Sequence, residues 1–222
     1  MENQELSIII LGATGAVGGE ALKSLIATNQ FEKITLLGRR NVEGISNKKI
    51  TQHKMDIFNV NSYENVLLNH SIAICTLGVG EPSKVSKEDF IKIDKKAVID
   101  FAKACKKAGV RHFELLSSVS IDVKSSSFYL RIKAELVEAL KEFNFERLSV
   151  FQPSMILTPT NRYGILQGIT LAVWPKLNFL LKGSAMQYRG VKVEQLGKAM
   201  ARNIYKNETG YETLTWEDFQ QF

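Results

Sequence analysis

The sequence predicts an α/β fold, a doubly wound parallel sheet with helices on both faces and a small C-terminal lobe. Three observations predict it. Short apolar runs without a polar face recur along the chain, the pattern of strands buried on both sides. Between these runs the apolar spacing turns helical, which places a covering helix after each strand. The first run ends in closely spaced glycines that lead directly into a helix. With 222 residues and about 150 residues per domain, the chain reads as one domain over residues 1–222, with residues 154–191 as the small lobe.

Ser7-Ile8-Ile9-Ile10-Leu11 is the first strand, and its uninterrupted apolar character places it centrally in the sheet. Over residues 15–28 Val17, Ala21, Leu22 and Leu25 fall on one helical face. Residues 33–37 form the next strand, a polar stretch leads to a third at 50–53, and residues 62–68 suit a short helix. Residues 71–77 form a fourth buried strand, ending at Gly78. Residues 86–108 read as a long amphipathic helix with Phe90, Ile93, Ala97, Val98, Phe101 and Cys105 on one face. Ser86, with Glu88 and Asp89, suits its start, and Gly109 its C-terminal cap. A fifth strand at 112–116, a helix at 127–143 and a sixth strand at 147–151 follow. After Pro153 the alternation stops. The lobe holds Arg162, Tyr163, Trp174 and Phe179, which either line a pocket or fill a core, core packing being expected of Trp174 and Phe179. A helix at about 194–205 follows it.

Composition narrows the functional classes. Hydrophobic residues make up 45% and charged residues 23%, which excludes a disordered or fibrous chain. A chain of this size buries roughly 70% of its unfolded surface and needs no disulfide or metal to fold. Cys75 and Cys105 form no Cys-x-x-Cys pair, so a reducing, cytoplasmic setting is expected. Residues 1–5 are too polar for a signal peptide, and residues 169–181 are too short and broken by Pro175, Lys176 and Asn178 to cross a bilayer. The net charge is +6. Much of the excess comes from Lys95, Lys96, Lys103, Lys106 and Lys107, which interleave with the helical apolar stripe and read as its solvated face. Neither nucleic acid nor membrane is expected as a partner, while a basic surface still attracts an anionic cofactor.

The strongest local signal is Gly12-Ala13-Thr14-Gly15-Ala16-Val17-Gly18, set between the first strand and the first helix. A tight turn, close backbone approach to a pyrophosphate and close helix–strand packing each require glycine there. The helix start then offers N–H groups and partial positive charge to phosphate. About twenty residues on, an NAD site usually carries an acid for the ribose 2′-hydroxyl. This chain has Arg39 and Arg40 instead, suited to a 2′-phosphate, so NADP(H) is preferred over NAD(H); the alternative is two exposed loop arginines. Asp56 follows the third strand, where it accepts from an adenine amino group or stands as a solvated surface acid.

Tyr129 and Lys133 are four residues apart on a helix and project from one face. A phenol of pKa about 10 is a poor acid–base group at neutral pH; a neighbouring ammonium favours the phenolate and can hold a ribose. Tyr188 and Lys192 share the spacing, but across Gly190 in a segment that does not read as helix. Ser117 and Ser118 end the fifth strand, where a hydroxyl can bond a substrate carbonyl. His53, His70 and His112 lack metal-ligand spacing and read as structural or exposed; no metal site is expected. The chain also lacks a Gly-x-Ser-x-Gly elbow and a phosphate-loop Gly-Lys-Ser/Thr motif.

Taken together, the glycine turn, Ser118, Tyr129 and Lys133 resemble the extended or atypical branch of the short-chain dehydrogenase/reductase superfamily, over roughly residues 6–155. The runs 112–118 and 127–153 are most similar to its Tat-interacting-protein group. The resemblance implies a Rossmann-like, NADP(H)-dependent oxidoreductase that moves a hydride to or from a small carbonyl or alcohol. The alternative it leaves open is a non-catalytic NADP(H) sensor or protein-interaction regulator. It implies that Ser118 polarises the carbonyl, Tyr129 transfers the proton and Lys133 holds the nicotinamide ribose. Gly12, Thr14, Gly15, Ala16, Val17 and Gly18 would line the phosphates, Leu77 and Gly78 the adenosine side, and Pro153, Ser154 and Met155 the nicotinamide. The lobe would then lie on the substrate side, in a monomer or homodimer. The chain departs from the family pattern twice: Asp94 and Lys95 stand where relatives carry a helix asparagine, and Gln152-Pro153-Ser154 replaces Arg-Pro-Gly.

Overall fold

Nine strands are formed among the described residues, which are 6–159 and 178–222 of a computed structural model. They are β1 (Ser7–Leu11), β2 (Lys33–Gly38), β3 (Ile50–Lys54), β4 (Ile72–Cys75), β5 (His112–Leu116), β6 (Arg147–Phe151), β7 (Ile156–Leu157), β8 (Val191–Lys192) and β9 (Gly210–Leu214). Seven build one sheet in the order β3-β2-β1-β4-β5-β6-β9, with every adjacent pair parallel; β7 and β8 pair separately. All six strands expected from the apolar runs are present. β1 is the third of seven, one place from the middle, because β9 adds a strand on the far edge. Nothing in the sequence marked β9: Gly210, Tyr211 and Thr213 are exposed there, so the apolar run that betrays a buried strand is missing.

The helices are α1 (Ala16–Thr28), α2 (Lys87–Ile91), α3 (Ala97–Lys107), α4 (Phe128–Lys141), α5 (Val193–Asn203) and α6 (Trp216–Phe219). Side chains alternate across each strand, so β1 feeds two cores. Ile8 and Ile10 pack with Leu22 and Leu25 of α1 and Leu196 and Met200 of α5. Ile9 and Leu11 pack on the other face with Val98 and Phe101 of α3 and Leu136 and Leu140 of α4. The long amphipathic helix forms with its expected caps: Ser86 Oγ accepts the Asp89 N–H, and Gly109 turns the chain out at φ +90°. It is interrupted between α2 and α3 by a π turn over Lys92–Lys96. The short helix expected at 62–68 is two 3₁₀ turns, Val60–Ser62 and Glu64–Leu67.

In the lobe, Phe179 is 68% exposed, contrary to the core packing expected of it. The chain's shortage of polar surface leaves such rings outside in many proteins, so apolar character alone does not assign burial. Arg162, Tyr163 and Trp174 lie outside the described residues. Tyr188 ends a 3₁₀ turn over Gly183–Tyr188 and Lys192 lies in β8, so the two share no helical face. The Val191 N–H on Met155 O (2.9 Å) closes the two ends of the lobe on each other, and Trp216 Nε1 on Gly190 O (3.2 Å) ties it to α6.

Candidate active site

The chain reverses its direction of winding between β1 and β4, and ligands of open α/β sheets bind beyond the carboxyl ends of the strands at such a point. Here Gly12 leaves β1 at φ +101°, a backbone region that disfavours side chains, and a Cβ on it would lie 2.6 Å from Thr76 Oγ1. A Cβ on Gly18 would meet the same oxygen at 2.5 Å and drive into the Gly12 carbonyl oxygen. Thr76 Oγ1 itself donates to Gly12 O at 3.1 Å, locking the glycine turn to the end of β4. Leu77 and Gly78 follow directly, and the Leu77 backbone is part of what Gly12 touches. No side chain caps α1 and no acid stands in its first turn, so its N-terminal N–H groups and partial positive charge face outward.

That helix start opens on a cavity of about 640 Å³. Ala13, Thr14, Gly15 and Ala16 line one side, and Arg40, Val42 and Lys54 line the other. A close-approach glycine turn, an uncapped helix start and opposing cations fit a dinucleotide with an anionic ribose end. Arg39 is exposed on the same turn as Arg40 but is not part of the cavity wall. Asp56 is exposed beyond β3, where its carboxylate accepts the Phe58 N–H at 2.9 Å. A second cleft, about 740 Å³, lies at the opposite end of the sheet beside Arg111, His112 and Arg147. Arg147 is saturated there by Glu212, Asn203 and Lys206, so the cleft offers no free cation from that side chain.

Tyr129 and Lys133 project from α4 as their spacing requires, and the Tyr129 ring packs against Phe90 at 5.6 Å. Lys133 is buried and its Nζ lies 2.8 Å from Asp94 Oδ1, a carboxylate only 1% exposed. The other Asp94 oxygen accepts the Val79 N–H at 2.7 Å. Gly78 passes directly over the pair: a Cβ on it would lie 3.0 Å from Asp94 Oδ1 and 3.7 Å from Lys133 Nζ. Burial works against the ammonium of Lys133, but the Asp94 carboxylate and the Tyr129 hydroxyl outweigh it, and the pKa ends above its usual value. Lys133 is therefore held charged inside the protein. Asp94 sits in the π turn, a rare break in α-helical geometry that often marks functional positions. Next to it Lys95 bonds Glu135 at 2.6 Å, fastening the turn to α4 a second time.

Ser118 lies one residue past Ser117, whose buried Oγ has no partner among the described residues. The Val119 N–H bonds Pro153 O at 3.0 Å, so the segment carrying Ser118 runs beside Pro153, Ser154 and Met155 beyond β6. Tyr188 Oη lies 3.0 Å from Ser120 Oγ, which brings the lobe to the same edge. The structure thus gathers the glycine turn, Leu77, Gly78, Ser118, Tyr129, Lys133 and residues 153–155 at the carboxyl ends of the central strands. Two participants escaped the sequence reading of roles. Thr76 had no motif to betray it. Asp94 had one: it falls on the apolar stripe between Phe90 and Val98, where a carboxylate is buried only with a partner.

The chain is similar in sequence and fold to several known proteins. Residues 12–149 match the family described as NAD(P)H-binding. Protein HTATIP2 of Rattus norvegicus is 35% identical over 156 residues, covering 69% of this chain and 64% of that protein, so the chain matches less than two thirds of this relative. Mitochondrial protein FMP52 of Debaryomyces hansenii is 28% identical over 187 residues, covering 82% of this chain and 80% of its own length. MoeE5 in complex with UDP-glucuronic acid and NAD superposes with a TM-score of 0.75 at 16% identity, over 94% of this chain and 75% of that one. The oxidoreductase ylbE of Lactococcus lactis superposes at 0.67 with 18% identity, over 98% and 96% of the two chains. With its glycine turn, parallel sheet and matched residues 12–149 in agreement, the chain belongs to the NAD(P)H-binding family of Rossmann-type, atypical short-chain dehydrogenase/reductase-like proteins.

Proposed function

We propose that the protein is an NADP(H)-dependent oxidoreductase acting on a small carbonyl or alcohol. The observation that carries this reading is the buried ammonium of Lys133, paired to Asp94 at 2.8 Å and one helical turn from Tyr129. A pure binding module needs a cation on the ribose but has no use for a phenol beside it at the open edge of the sheet. The bound cofactor supplies or accepts the hydride. The chain's own residues do the rest. Gly12, Thr14, Gly15, Ala16, Val17 and Gly18 hold the pyrophosphate at the start of α1. Arg39 and Arg40 take the 2′-phosphate, and Asp56, Leu77 and Gly78 flank the adenosine. Pro153, Ser154 and Met155 shield the nicotinamide face from water. Lys133 binds the nicotinamide ribose and electrostatically favours the anionic form of a neighbouring phenol. Ser118 donates to the substrate oxygen, and Tyr129 Oη gives up or takes the proton.

The test is NADPH consumption against a panel of small aldehydes and ketones, beside direct NADPH titration of the same preparation. Turnover with at least one carbonyl that disappears in Tyr129→Phe supports the reading. Saturable NADPH binding with no turnover across the panel replaces it with the sensor.

A further inference from the structure

The geometry points to a second, unassigned half of the 2′-phosphate site on β3: Lys54 supplies a cation on the same cavity wall as Arg40, and the Gln52 amide holds the turn that presents Arg40. The inference deepens the cofactor preference proposed above and rests on it. Gln52 and Lys54 are two residues apart on a strand, so both side chains leave the same face of β3. Lys54 pairs in register with Gly38, the last residue of β2 before Arg39 and Arg40, and the next N–H, that of Met55, bonds Gly38 O at 3.0 Å. Lys54 and Arg40 line the same cavity in front of the uncapped start of α1.

The remaining cation of that wall, Lys23, is engaged by Glu20 at 2.6 Å. Among the described residues no carboxylate lies within ion-pair distance of Arg40 or Lys54. Two uncompensated cations facing one cavity repel each other and favour a doubly charged anion between them. Two acids also line the cavity: Glu20, engaged by Lys23, and Glu43, which opposes this field.

Gln52 explains how an exposed arginine turn keeps its position. Its Oε1 accepts the Val42 N–H at 2.8 Å and its Nε2 donates to Val42 O at 3.1 Å. This reciprocal pair fastens the chain that leaves β2 back onto the middle of β3, where the Gln52 backbone already pairs with Leu36. Val42 also packs against the α1-side core, so the turn is held at both its backbone and its side chain. Arg40 and Asn41 are therefore presented from a fixed loop, and less ordering entropy opposes binding.

Calorimetric titration of the full chain with NADPH and NADH, and with 2′,5′-ADP and 5′-AMP as fragment probes, tests this directly. Lys54→Ala and Gln52→Leu should each lower the NADPH-to-NADH affinity ratio by about two- to fivefold, the range of a solvent-exposed charge pair. NADH affinity should stay unchanged in both, and Lys54→Arg should retain the ratio. Gln52→Met, uncharged and close in size, should lower the ratio as Gln52→Leu does, and it decides the matter if the leucine variant misfolds and loses NADH affinity too. A ratio that collapses in Arg40→Ala but survives in Lys54→Ala and both Gln52 variants overturns this inference and leaves the NADP reading standing. A ratio near one in the unaltered protein, unmoved by Arg40→Ala, overturns the NADP reading itself.

Discussion

Replacing Asp94 by alanine should destabilise the protein well beyond an ordinary point substitution, whatever its effect on cofactor or substrate. The carboxylate is 1% exposed, accepts the Val79 N–H and neutralises Lys133, which is itself buried. Removing it leaves an ammonium without a counter-charge and a loop N–H without an acceptor. Breaking a buried ion pair from one side costs about 3–5 kcal/mol. For a chain of this length each kcal/mol moves the melting temperature by about 2–4 °C, so Asp94→Ala should lower it by roughly 6–20 °C. Urea unfolding with a global fit for the midpoint and slope is the assay. Lys133→Met should behave similarly, since it strands the carboxylate. The double variant Asp94→Ala, Lys133→Met removes both charges, so its loss should fall short of the sum of the two by about 1–3 kcal/mol. Single variants within about 1 kcal/mol of the parent, or a double variant that is simply additive, would refute the reasoning, because either result means the charges do not depend on each other.

Other consequences are equally specific. Tyr129→Phe should leave NADPH affinity nearly unchanged while turnover falls about 10²–10⁴-fold, because the ring keeps its contact with Phe90 but loses the hydroxyl proposed to transfer the proton; equal loss of binding and turnover would contradict that role. Gly18→Ala should abolish tight NADPH binding and destabilise the fold by about 1–3 kcal/mol, since its methyl drives into the Gly12 carbonyl oxygen; calorimetry and thermal melts read both. His112 is held down to about 3, first by burial and then by the Arg147 guanidinium, so the folded state binds its proton far less readily than the unfolded chain. The stability it contributes is fully present above its ordinary pKa of 6.5 and is lost as pH falls from there toward 3. Between pH ~6 and ~4 the parent should therefore lose stability more steeply than His112→Gln, by up to about 1.4 kcal/mol per pH unit; parallel pH profiles would rule the linkage out.

Local chemistry made much of this protein legible in its sequence. Strands buried on both faces must be apolar throughout, so the Ile8–Ile10 and Ile72–Ile74 runs announced a parallel sheet before any fold existed. Gly12 and Gly18 announced the dinucleotide turn, since only glycine survives where a Cβ would meet Thr76 or the neighbouring backbone. Four-residue spacing put Tyr129 and Lys133 on one helix face. What escaped the sequence depends on partners distant along the chain. β9 is an exposed edge strand whose formation rests on the free hydrogen-bonding edge of β6, so it needs no apolar run of its own. Thr76 matters because the fold brings it to Gly12, 64 residues earlier. Asp94 stands on the apolar stripe, which signals a buried partner, but only the π turn that aims it at Lys133, 39 residues on, shows which one. Burial determines whether a side chain must be apolar, and the sequence records that requirement position by position. Which buried charge meets which is decided by the packing of α4 on the π turn, and only the tertiary structure contains that pairing.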